Sequence, residues 1–200
     1  MKSHIHHLYP KDETFFKVLS IAGNIRNEDA NNINISNSRL KNFEKDKLIE
    51  RVSYPSRNNN KTQSEKCYAL TKKGKEFVTN QFGIKRCQSG YAAEHNCKVA
   101  ETICSLNKEE IASVQSEWES RNQLEEMLEQ MRQDKDDRYD EYMEKYLQGK
   151  ISAPDIIYKS SVTQEVVGIE IITGNYKDDD IEAKEIFGEV MHVEIELVNA

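Results

Sequence analysis

The charges of this chain are sorted by position. Residues 1–86 hold 17 Lys and Arg against 9 Asp and Glu, a balance of +8, whereas residues 87–200 hold 11 against 26, a balance of −15. Two halves with opposite fields fold most readily as two modules, each with its own core. A length of 200 residues with 37% apolar content can furnish both. A basic module of this size suits a polyanion such as nucleic acid, and an acidic one is repelled by it except where a metal or local cations intervene. Cys67, Cys87, Cys97 and Cys104 form no CxxC pair and read as free thiols. No apolar run approaches the roughly 18 residues that span a bilayer. The N-terminal "MKSHIHHLYPKDETFF" lacks the apolar region of a signal peptide, so a cytoplasmic protein with no membrane partner is expected.

Within the basic half, "KDETFFKVLSIAG" sets Phe15, Val18, Leu19 and Ala22 on one helical face and stops at Gly23. "NIRNEDANNI" reads as a short second helix with Ala30 and Ile33 inward. In "NISNSRLKNFEKDKLIE", Ser36 is the expected N-cap of a third helix that turns Leu40 and Phe43 to the core. Its other face carries Asn37, Ser38, Arg39, Lys41, Asn42 and Lys45. Then follow a strand pattern "KLIERVSYP", a basic polar tip "SRNNNKTQSE", a returning strand "KCYAL" and a helix "TKKGKEFVTNQFG". The order, together with "LIERV", the basic tip and "YALTKKGKEFV", resembles bacterial winged helix-turn-helix DNA-binding domains over about residues 10–83. The resemblance implies that the third helix enters the major groove of double-stranded DNA and that the wing touches phosphate. Ser38, Arg39, Lys41 and Asn42 would then approach bases or backbone, with Arg57 and Lys61 on phosphates and Asn37, Lys45, Lys72 and Lys73 as further DNA-binding candidates.

The acidic half opens with the amphipathic pattern "AAEHNCKVAETICSL", with Ala93, Cys97, Ala100 and Cys104 inward. A short strand is expected around Ser113–Trp118. A long helix follows over about residues 123–147, striped by Leu124, Met127, Leu128, Met131, Tyr142 and Tyr146 and interrupted by Lys135 and Arg138. Strands at Asp155–Tyr158 and Val166–Thr173, a helix from Asp180 to about Gly188 and a final strand "MHVEIELV" complete the pattern. Two acids interrupt otherwise apolar strands here, Asp155 after Pro154 and Glu170 fifteen residues later. Element order and this "PD" with a distant glutamate resemble the PD-(D/E)xK, restriction-endonuclease-like superfamily. The resemblance implies Asp155 and Glu170 as ligands of Mg²⁺ or Mn²⁺, which takes hard oxygen donors, activates water and polarises phosphate. The lysine expected two residues after the glutamate is replaced by Ile172. Lys184 in "DIEAKEIFG" is the candidate for a migrated lysine, and Glu94 for a further carboxylate.

The expectation is therefore an α+β chain of two domains, a winged helix at 1–86 and a nuclease-like α/β domain at 91–200. This architecture resembles replication-relaxation proteins of plasmids and phages, which implies a DNA-binding role in replication, maintenance or transcription regulation. The replaced lysine favours an inactive nuclease-like domain used for assembly. Two other readings stay open: a metal-dependent endonuclease guided by the winged helix, and an interaction protein whose acidic half meets a protein partner, such as one of the same mobile element. A homodimer is expected because one recognition helix covers a half-site, with the long helix as its contact. The isolated glycines cradle no phosphate, which argues against an NTP-driven motor. His4, His6 and His7 read as a terminal segment without a fixed partner, and His95 as a surface histidine beside Glu94.

Overall fold

The computed structural model describes residues 4–55, 64–174 and 176–199. The chain forms two compact units that divide after Asn107, and each is described by itself.

In the first unit, helix α1 (Pro10–Ala22) buries Phe15, Phe16, Val18, Leu19 and Ala22 and ends at Gly23, whose N–H returns to the Leu19 carbonyl. The chain then makes a three-residue strand, β1 (Asn24–Arg26), before helix α2 (Asn27–Asn32). This strand corrects the single helix expected over "NIRNEDANNI". Its partner is supplied by the distant hairpin, and Asn24, Ile25 and Arg26 pair with Ala69, Tyr68 and Cys67. Helix α3 (Asn37–Lys45) starts where the Ser36 hydroxyl accepts the Arg39 N–H, and it buries Leu40 and Phe43. The Phe43 ring stacks on Phe15 at 5.4 Å and meets Phe16 at 4.8 Å. Burying rings of this kind stabilises by about 1.5–3 kcal/mol each. Strands β2 (Ile49–Pro55) and β3 (Ser64–Leu70) form the hairpin, and the antiparallel sheet runs β1-β3-β2. Thr71 caps helix α4 (Lys72–Phe82) by accepting from Gly74 N–H, and its hydroxyl donates to the Lys47 carbonyl.

Helix α5 (Ala93–Ser105) belongs to this unit, packed on α1, β1 and α2. That corrects the expected boundary, which placed residues 91–107 with the acidic domain. The reason is its apolar face: Cys97, Val99, Ala100 and Ile103 are buried, and Arg26 reaches Glu101 at 3.0 Å. The N-terminal arm is also held. The His4 and Ile5 N–H groups donate to the Asp46 carboxylate, and Arg39 donates to the His7 carbonyl, so the segment expected to lack partners has them.

The second unit begins with α6 (Lys108–Ser113) and the two-residue strand β4 (Gln115–Ser116), where one strand had been expected. Ser116 and Glu119 then form a reciprocal capping box for α7 (Glu117–Asp134). The long helix breaks here. Lys135 adopts φ 57°, the Asp136 carboxylate accepts the Arg138 N–H, and the chain restarts as α8 (Tyr139–Leu147). The expected stripe therefore folds back on its own unit: Leu124, Leu128, Met131 and Tyr142 share one core with Phe187 and Val190. The single helix expected over residues 123–147 is corrected to two by the break at Lys135, and the stripe lies on its own unit.

Strands β5 (Ile156–Lys159) and β6 (Val166–Ile172), helix α9 (Asp178–Met191) and strand β7 (Glu194–Asn199) complete a four-stranded sheet in the order β4-β5-β6-β7. The first two pairings are antiparallel and β6–β7 is parallel, crossed by α9. Helix and strands approach closely at two glycines. A Cβ on Gly188 would lie 2.6 Å from the Val193 carbonyl oxygen, and one on Gly168 would lie 2.8 Å from the Ile195 Cδ1 and 3.0 Å from the Pro154 Cγ.

Candidate nucleic-acid face and acid cluster

Helix α3 presents Asn37, Ser38, Lys41 and Lys45 to solvent, with Asn42 half-buried. Asn37, Lys41 and Lys45 follow one another at four-residue spacing and so form one ridge. Arg39 departs from the expectation. Its Nε donates to Asp12 Oδ1 at 3.0 Å and its Nη2 to Asp12 Oδ2 at 2.6 Å, and its guanidinium lies 5.0 Å from the Phe43 ring centroid. Asp12 is wholly buried and also accepts the Tyr9 N–H at 2.8 Å. Arg39 is thus a structural cation, because leaving Asp12 buried and unpaired would be costly. Lys73 is likewise engaged, donating to the Asp46 carbonyl at 2.8 Å, whereas Lys72 is exposed. Arg57 and Lys61 lie outside the described residues.

In the second unit the sheet brings Asp155, Glu170 and Lys184 together. Glu170 sits mid-strand on β6 and is 2% exposed. Its Oε1 lies 3.1 Å from Lys184 Nζ on α9 and also accepts the Tyr176 hydroxyl, while its Oε2 accepts the Asp155 N–H at 2.9 Å. Asp155 answers across the strands, its Oδ2 accepting the Ile171 N–H at 2.8 Å. Lys184 Nζ donates to the Ala153 carbonyl at 2.6 Å. Burial, and then the neighbouring Asp155 charge, push the Glu170 carboxyl above the usual carboxylate range, against the pull of Lys184. Tyr176 was not singled out from the sequence. It follows the strand by a turn, and no periodicity ties it to Glu170.

Glu94 lies on α5 of the first unit and is not among the residues that the second unit brings together. Its neighbour His95 is buried rather than surface-facing, with its ring 4.9 Å from that of Tyr91. The metal implied by the superfamily resemblance does not fit the remaining residues. Mg²⁺ or Mn²⁺ keeps several waters and needs carboxylate oxygens turned toward them. Here Oε1 of Glu170 already has two donors, its charge is balanced by Lys184, and the side chain is closed from solvent. Among the described residues, no group of three or more His, Cys, Asp or Glu is arranged to hold a metal ion. What the arrangement does provide is a buried ion pair that a second acid biases toward proton uptake.

The chain matches no protein-family model, no curated protein and no solved structure with which it was compared. No helix among the described residues is long and apolar enough to cross a membrane.

Proposed function

We propose that this protein binds double-stranded DNA through its first unit. The observation that carries the reading is the exposed ridge of Asn37, Lys41 and Lys45 on α3, standing beside a three-stranded antiparallel sheet in the order helix, strand, helix, helix, hairpin. That order agrees with the winged-helix resemblance, in which the third helix reads the major groove. By the resemblance, the second unit is a nuclease-like layer, in the order αβααββαβ, whose acid cluster is closed and which serves assembly rather than cleavage. By the same resemblance the protein serves a plasmid or phage in replication, maintenance or transcription, with two copies meeting a two-fold DNA site. An endonuclease reading draws support from Lys184 beside Glu170, and the closure of Glu170 opposes it.

The test is fluorescence anisotropy with a mixed-sequence duplex across a salt series. Affinity should fall steeply with salt and drop in Lys41→Ala/Lys45→Ala. No binding by the wild type at low salt sinks the reading. Supercoiled plasmid incubated with Mn²⁺ should stay intact. Nicking that disappears in Asp155→Ala would make the protein an enzyme.

A further inference from the structure

The α3 ridge does not face solvent alone. A cleft of about 320 Å³ lies between it and the hairpin, lined by Asn27, Asn37, Lys41, Arg51, Lys66 and Tyr68. The hairpin register explains the far wall. Arg51 pairs with Tyr68 and Ser53 with Lys66, and residues two apart share a strand face, so Arg51, Lys66 and Tyr68 stand on one side. The near wall is α3. A strut joins the two walls: Arg51 Nε meets Glu44 Oε1 at 2.9 Å and Arg51 Nη2 donates to Glu44 Oε2 at 3.0 Å. The guanidinium also lies 5.7 Å from the Tyr68 ring centroid.

Three cations, Lys41, Arg51 and Lys66, therefore line one cleft, with Arg51 held by Glu44. Lys41 and Lys66 are exposed, and neither makes an ion pair among the described residues. Two amide side chains, Asn27 and Asn37, add donors that can meet an oxygen. A cleft lined by these donors suits a compact anion whose oxygens accept from several of them at once.

We infer that this cleft is a phosphate seat, in which Lys66 and Arg51 of the hairpin strands and Lys41 of α3 hold one phosphate group. Resting on the DNA-binding reading, the phosphate belongs to the backbone of the duplex that meets α3, and the contact comes from the strands of the hairpin rather than its tip. The seat fixes how far the duplex can approach the ridge. A free phosphate compound offers the same chemistry from another source.

The experiment measures duplex affinity against salt for the wild type, Lys66→Ala, Lys66→Arg and Lys75→Ala, an exposed lysine on α4 outside the cleft. Loss of one phosphate contact should lower the salt slope by about 1 and weaken binding roughly fivefold to tenfold in Lys66→Ala. Lys66→Arg should restore both, and Lys75→Ala should change neither. In parallel, pyrophosphate is titrated while amide resonances are followed, with shifts expected at Lys66 and Tyr68 that vanish in Lys66→Ala. Duplex binding with an unchanged slope in Lys66→Ala, together with silent amides, overturns the seat and leaves the DNA reading standing. Pyrophosphate shifts with no duplex binding keep the seat, assign it to a free ligand and overturn the DNA reading. Neither signal removes both.

Discussion

Each unit holds a buried acid hydrogen-bonded or ion-paired to a cation, Asp12 with Arg39 and Glu170 with Lys184, and the two solutions differ. In the first, Asp12 meets Arg39 through two parallel hydrogen bonds and caps the start of α1, giving a one-to-one pair with fixed geometry. In the second, Glu170 meets Lys184 at a single point, shares an oxygen with Tyr176 and has Asp155 as a like-charged neighbour. A forked guanidinium holds direction as well as charge, whereas an ammonium is a point charge that tolerates rearrangement. The first pair therefore reads as a clamp that aligns α1 with α3. The second is an electrostatic compromise whose balance changes with protonation.

The largest effects come from breaking either pair from one side. Arg39→Met and Lys184→Met should each destabilise by about 3–5 kcal/mol, because each leaves an uncompensated buried carboxylate. Urea unfolding reads this. Glu170→Gln combined with Lys184→Met should recover most of the loss, and failure to recover it would mean that packing rather than charge dominates there. For Arg39→Ala, the folded fraction should keep the wild-type salt slope for DNA, as a cation turned to Asp12 contributes no phosphate contact.

A smaller effect sharpens the comparison through pH. Burial pushes the Asp29 carboxyl of the first unit up to about 6 from 3.8. A raised acid stabilises the fold fully below its unfolded value, and that contribution is lost as pH rises through the folded value, so the window is about pH 4 to 6. Asp29→Asn should flatten the stability profile in that window and add about 3 kcal/mol at pH 7 relative to pH 4. Glu170 is shifted in the same direction, so its contribution is likewise lost as pH rises. The smallest effect is local: Lys135→Gly should gain about 0.5–1 kcal/mol in thermal unfolding by relieving the left-handed backbone at φ 57°.

Much of this arrangement was legible in the sequence where the signal was local. Helices α1, α3 and α4 announce themselves by a spaced apolar face and by Gly23, Ser36 and Thr71 at their ends. The apolar strand that carries Glu170, and the helix that carries Lys184, were legible too, because strand alternation and helix spacing limit where those side chains can go, although Asp155 lies just ahead of β5 rather than in it. What failed was nonlocal. Strand β1 exists only through its pairing with β3, Arg39 turns inward only because Asp12 lies 27 residues earlier, and α5 chooses the first unit through contacts that no spacing encodes. Lys135 and Arg138 marked an interruption of the stripe, but Met131 and Tyr142 on either side of it reach the same core, so the interruption did not read as a helix break.

The closeness of α9 to the sheet has a further meaning. Gly168 and Gly188 leave out two side chains where helix, loop and strand touch. Lys184 lies one helical turn before Gly188, so the reach of its ammonium to Glu170 is set by clearance at a place that carries no charge. A single added methyl group at position 188 would act as a wedge, lifting the helix and opening the acid pair to water. The electrical character of the second unit is thus governed by a mechanical tolerance of a few tenths of an ångström.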